Sequence, residues 1–190
     1  GALLFYSDGI EVINKNHALM NNGTGLLSNF SGAQCVQVCR VPNTCDKYYI
    51  ISNSAVDNVG GSFYSSIVDF SSNPLGTVTN KNQFISGSSY HQGMRIIPKS
   101  NSNNYWLIGH NINTSTYHVF EITPGGFVGP VVYNFSNSGK SWGMKFNANT
   151  NKLLHMGEGG LKVTVFDFNP ANGVLSNETQ LANGSIQAAW

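Results

Sequence analysis

Four apolar runs of similar build recur along this chain. They are Ala2-Leu3-Leu4-Phe5-Tyr6-Ser7-Asp8, Lys47-Tyr48-Tyr49-Ile50-Ile51-Ser52-Asn53, Asn104-Tyr105-Trp106-Leu107-Ile108-Gly109-His110 and Lys152-Leu153-Leu154-His155-Met156-Gly157-Glu158. Each has four mostly apolar positions, then a small residue, then a polar one. A second set precedes three of them: Gln34-Cys35-Val36-Gln37-Val38, Gln92-Gly93-Met94-Arg95-Ile96 and Trp142-Gly143-Met144-Lys145-Phe146. Gln187-Ala188-Ala189-Trp190 fits the start of a further copy. A third set, rich in β-branched and aromatic residues, covers 10–14, 63–70, 116–122 and 162–168. A weaker fourth covers 25–29, 76–85, 127–135 and 173–181. No stretch keeps a helical period over eleven or more residues.

With the sets labelled a to d, the chain reads bcd, abcd, abcd, abcd, a. A four-strand unit with a period of about 45 to 58 residues is the spacing of propeller blades. The predicted fold is therefore all-β: a β-propeller of four-stranded antiparallel blades, about four blades' worth. The units are 1–30 (partial), 33–88, 91–136, 141–184 and 185–190, the last being the start of a next strand. A segment of a larger propeller is expected; the alternative is a closed four-bladed ring in which the final strand a completes the first unit. Blades pack face to face, so both faces of strands a to c are buried. That accounts for runs such as Tyr48 to Ile51, where a one-sided sheet would alternate.

Composition sharpens the picture. Charged residues are 10% of the 190, against roughly 25% in typical soluble domains. Amides and hydroxyls replace them, with 25 Asn and 21 Ser beside 21 Gly. These residues favour turns over helix interiors. A net charge of +1 and the lack of a Lys/Arg cluster argue against nucleic acid. No apolar run reaches the roughly 20 residues of a membrane helix, so membrane insertion is not expected.

Candidate chemistry is sparse. A Cys39–Cys45 disulfide across the turn after strand a is one arrangement of the three cysteines, and three free thiols is another. No second ligand pair stands at a zinc spacing, and no cofactor fingerprint is present. His118 and His155 lie inside strands, whereas His91 and His110 sit at strand ends and are expected to reach a propeller face. His17 is either a ligand contact or a turn-stabilising hydrogen bonder. Asp69, Glu121 and Asp167 fall at like places near the ends of the c strands. Repetition of an acid in three units points to a structural bond rather than catalysis, so no catalytic residue is assigned. The favoured binding surface is the channel mouth, where Gln34, Gln92, Trp142 and Gln187 begin the a strands. A ring of amides and an indole can hold a sugar or a peptide, or can simply cap the inner strands.

The N-terminal unit resembles a known family. Leu3 to Gly9, Asn14-Lys15-Asn16-His17 and Met20-Asn21-Asn22-Gly23-Thr24-Gly25-Leu26-Leu27 resemble secreted Bacteroidetes-type surface proteins with a WD40-like propeller. These are the gliding-motility-associated substrates of type IX secretion. Lys47 to Ile51, Lys145-Phe146-Asn147 with Lys152-Leu153, and Val165 to Asn177 are similar to later strands of that family. The resemblance implies a secreted or cell-surface, outer-membrane-associated location and carries no catalytic residues. The expected function is a non-enzymatic interaction or scaffold module with a protein or glycan partner at the cell surface. The alternatives are a glycan-active enzyme on a propeller scaffold and a structural subunit of a surface assembly.

Overall fold

The structure is a computed structural model that describes residues 3–29, 32, 34–56, 59–135, 141–157 and 162–183. Thirteen strands are defined among them: β1 (Phe5–Ser7), β2 (Val12–Asn14), β3 (Val36–Arg40), β4 (Lys47–Asn53), β5 (Gly61–Asp69), β6 (Thr77–Pro98), β7 (Tyr105–Asn111), β8 (Thr116–Thr123), β9 (Gly126–Asn134), β10 (Ser141–Phe146), β11 (Lys152–Gly157), β12 (Lys162–Asn169) and β13 (Val174–Asn183). Every strand pairs antiparallel with its sequence neighbour inside one of three sheets: β1-β2, β3 through β9, and β10 through β13. The chain is all-β, as its residue pattern predicts.

One feature differs from the sequence expectation. Strand d at 76–85 and strand a at Gln92 to Ile96 are not separate, because β6 runs unbroken for 22 residues. Its first half pairs with β5 and its second with β7. Tyr90 is the switch, opposite Gly61 on one side and Asn111 on the other. Residues 86–91 read Ser-Gly-Ser-Ser-Tyr-His. No proline interrupts them, and Ser89 takes a left-handed angle, φ 50°, next to the residue at which the strand changes partner. The seven-stranded sheet is thus two four-stranded halves sharing one strand.

The core lies between these layers. Ile50 of β4 packs with Val12, Met20, Leu26, Val68 and Val78. Its neighbours Tyr49 and Ile51 pack on the other face with Phe63, Tyr90, Met94, Leu107 and Phe120. On β7, Leu107 joins that second cluster, while Trp106 and Ile108 face Met144, Leu153, Phe166 and Phe168. Successive strand residues point to opposite faces. A continuous apolar run is therefore what a strand between two layers requires.

The abundant asparagines close the hairpins. Asn111 Oδ1 accepts from the Asn113 and Thr114 amides at 2.8 and 3.1 Å between β7 and β8. Asn147 Oδ1 accepts from the Asn151 and Lys152 amides, both at 3.0 Å, between β10 and β11. Asn169 Oδ1 accepts from the Ala171 amide at 3.0 Å between β12 and β13. A short side chain that mimics a turn of backbone suits these positions.

Candidate functional site

The carboxylates near the ends of the c-type strands are each paired with a lysine. Lys47 Nζ lies 3.1 Å from Asp69, Lys99 Nζ lies 2.8 Å from Glu121, and Lys152 pairs with Asp167. Asp69 is held below the usual carboxylate range by Ser71, with Lys47 adding to the effect. Asp167 is lowered by Asn177 and then by Lys152. Burial raises Glu121, but Lys99 and the Asn104 amide outweigh it and the net shift is downward. Folded carboxyls with lowered values contribute stability that is complete above their unfolded range and lost as pH falls through the lowered one. These pairs are solvent-accessible, so Glu121→Gln is expected to cost at most about 1 kcal/mol in urea unfolding at pH 7. A loss several times larger would show a role beyond the ion pair.

The channel-mouth residues meet different fates. The Gln34 side chain reads the backbone of Met144: Oε1 accepts from its amide at 2.9 Å and Nε2 donates to its carbonyl at 3.3 Å. Next to it, Cys35 Sγ lies 4.0 Å from the Gln92 carbonyl oxygen. Gln92 is buried on β6 beside His91. Trp142 lies on β10 next to the Gly143 position, which pairs with Met156 across a register shift. Gln187 lies outside the described residues. Gln34 and Cys35 thus tie the start of β3 to β10 and β6, and the Gln34 amide is engaged with backbone.

The expected Cys39–Cys45 bridge is not formed, and all three cysteines are free thiols. Cys39 points into the core with Val41 and Tyr49, where burial pushes its thiol up to about 12. Cys45 is exposed on the following loop. A strand alternates its faces, so a cysteine aimed inward from β3 does not meet one on the outer loop.

His91 and His110 do not reach a surface. Both are buried, as are His118 and His155. His118 is bracketed by the Tyr90 hydroxyl at 2.9 Å on Nδ1 and by Thr116 Oγ1 at 3.1 Å on Nε2. His155 Nδ1 is hydrogen-bonded to Tyr117. The His110 ring lies 5.0 Å from that of Tyr117 and 5.2 Å from that of His155. Neither of its nitrogens has a hydrogen-bond partner among the described residues. No group of three or more ligating side chains there is arranged to hold a metal ion. His17 occupies a left-handed turn position, φ 61°, with its Nδ1 3.4 Å from the Tyr6 hydroxyl.

A cleft of about 540 Å³ that was not predicted from the sequence lies between the β3–β4 and β6–β7 loops. Arg40, Pro42 to Cys45, Ser102, Asn103 and Tyr105 supply most of its wall. Asn43 and Asn101 take left-handed backbone angles, φ 63° and 59°, which asparagine tolerates well. Asn103 Nδ2 donates to Asn43 Oδ1 at 2.9 Å and joins the loops. Asn104 is held by Glu121 Oε1 at 2.6 Å, and Thr44 Oγ1 donates to the Val41 carbonyl at 2.9 Å. The Arg40 guanidinium lies over the Tyr48 ring, 5.9 Å from its centre. Burial raises the Tyr105 hydroxyl, while Arg40 pulls it back. Both loops follow an a-type strand, and both carry asparagine, with Pro42 and Thr44 in the first and Ser100 and Ser102 in the second. That shared position is the signal from which the sequence alone could have yielded the cleft.

No protein-family model and no curated protein sequence matches this chain. Solved structures do. A 6-phosphogluconolactonase-like protein from Bacteroides uniformis superposes with a TM-score of 0.57 at 12% identity, over 97% of this chain and 53% of that one. An exo-β-1,3-galactanase from Phanerochaete chrysosporium, solved with β-1,3-galactotriose, gives 0.56 at 9% identity, over 89% and 42%. An auxiliary nutrient binding protein from Bacteroides thetaiotaomicron gives 0.49 at 12% identity, over 99% and 43%. The chain spans about half the length of the structures it matches. At these identities the first two likenesses are ones of fold, and they define an all-β, propeller-like protein.

Proposed function

We propose that this chain is a non-enzymatic glycan-binding segment of a β-propeller, with the cleft between the β3–β4 and β6–β7 loops as its binding site. The observation that carries the reading is the cleft wall: a tyrosine, an arginine, amides and hydroxyls, with no carboxylate in it. Amides and hydroxyls exchange hydrogen bonds with sugar hydroxyls, and a half-buried tyrosine offers a ring to a sugar face. Asp69, Glu121 and Asp167 are tied to lysines, which removes three carboxylates from any acid–base pair. The four-strand units would be blades, with β6 passing from the outer edge of one to the inner edge of the next. The N-terminal motif resemblance supports a location at the bacterial cell surface, among type IX secretion substrates of the gliding-motility kind. The galactanase likeness adds that a related scaffold accommodates an oligosaccharide.

The free thiol of Cys45 makes the site testable. It is exposed in the cleft, whereas Cys35 and Cys39 are buried. A bound oligosaccharide is expected to slow alkylation of Cys45 by iodoacetamide. Tyr105→Ala is expected to weaken saccharide binding about tenfold, or about 1.4 kcal/mol, in titration calorimetry. Unchanged alkylation across neutral and acidic oligosaccharides would reject the cleft as the site. Release of reducing ends would reject the non-enzymatic reading.

A further inference from the structure

Arg40 is handled differently from three of the lysines. Lys47, Lys99 and Lys152 each pair with a carboxylate. Among the described residues, Arg40 pairs with none. Its guanidinium is steadied on Tyr48, which supplies a ring and a hydroxyl but no negative charge. The cleft it lines contains no Asp or Glu. The nearby acid, Glu121, is turned to Lys99 and Asn104. The low charge of the whole chain, 10% of residues, makes an arginine without a carboxylate partner in the wall of a cleft a distinct feature.

The remaining N–H groups of Arg40 form a planar fork that matches a carboxylate or sulfate with two parallel hydrogen bonds. Ser102, Thr44, Asn43 and Asn103 line the same cleft with neutral polar groups. Such a set distinguishes an anionic sugar from a free anion, because most of the contacts are suited to hydroxyls. A neutral sugar would leave the fork without its best partner.

We infer that the ligand of the cleft is an acidic saccharide, and that Arg40 binds its carboxylate or sulfate group. This rests on the cleft being a glycan site. It goes further by naming the ligand class and the residue that selects it.

Titration calorimetry with three probes tests it: tri-galacturonate, a sulfated galacto-oligosaccharide and neutral β-1,3-galactotriose. One or both acidic probes are expected to bind at least about tenfold tighter than the neutral one, as charge-assisted bonds imply. Which of the two binds tells carboxylate from sulfate. Arg40→Gln is expected to abolish that advantage, and Arg40→Lys to restore only part of it, since an ammonium lacks the fork. Raising ionic strength should weaken acidic binding and leave neutral binding unchanged. Arg40 is exposed on β3, and the urea midpoint of each variant checks that it folds. Equal affinity for neutral and acidic probes, unchanged in Arg40→Gln, would overturn the inference while leaving a glycan site standing. Absence of binding by any of the three, with Cys45 alkylation unaltered, would overturn both.

Discussion

Replacing Phe63 with alanine is expected to lower the unfolding free energy by about 3–5 kcal/mol, near the upper end for a single core truncation. Phe63 is fully buried and stacks on Tyr90 with ring centres 3.9 Å apart and planes within 5°. The stack fills the space between the two halves of the seven-stranded sheet and also touches Phe120 edge-on. It lies on Gly109, where an added Cβ would come within 2.4 Å of Phe63 Cζ, so β7 can approach this closely only through a glycine. Tyr90 is the residue at which β6 changes partner, and its hydroxyl holds Ser86 and His118 at 2.9 Å. Removing the ring beneath it opens a cavity and loosens that switch together. Urea unfolding at pH 7.5 gives the number. A loss below about 1 kcal/mol would mean that the site collapses freely and that the switch does not depend on the stack.

Acid is expected to weaken the fold well before the carboxylates titrate. His110 is fully buried. Burial holds its basicity well below the ordinary imidazole value of 6.5, and the neighbouring His155, His91 and His118 push the same way. The unfolded chain therefore takes up a proton near pH 6.5 that the folded chain refuses. Stability from this group is complete above about 6.5 and falls below it, by about 1.4 kcal/mol for each pH unit. The Asp69, Glu121 and Asp167 losses begin only at the usual carboxylate range and run on below it, so the two windows separate. His110→Leu is expected to flatten the decline between pH 6.5 and 5. At pH 7.5 it should keep or raise stability, because two buried nitrogens without partners are replaced by carbon. A decline of the same slope in the variant would place the proton uptake elsewhere.

Much of this architecture can be read from residue order. The runs at 47–53, 105–111 and 152–157 are strands because four apolar positions in a row suit a layer covered on both faces. The repeated acid near the end of the third strand is legible in three of the units, and in each of the three it is paired with a lysine. The burial of His91 and His110 was not legible. A strand end looks like a surface until the neighbouring layer is in place. The same holds for Gln34, whose amide meets Met144 across 110 residues of sequence.

By itself the sequence determined strand content, order along the chain and the asparagine-closed hairpins, because β propensity and turn chemistry act over a few residues. Tertiary structure alone decided the rest. It merged two predicted strands into β6, kept Cys39 apart from Cys45, sealed the histidines inside, and set two loops some 60 positions apart side by side around Arg40. Each of these depends on which layer packs on which face. That is fixed by the summed burial of many residues and not by any short stretch of them.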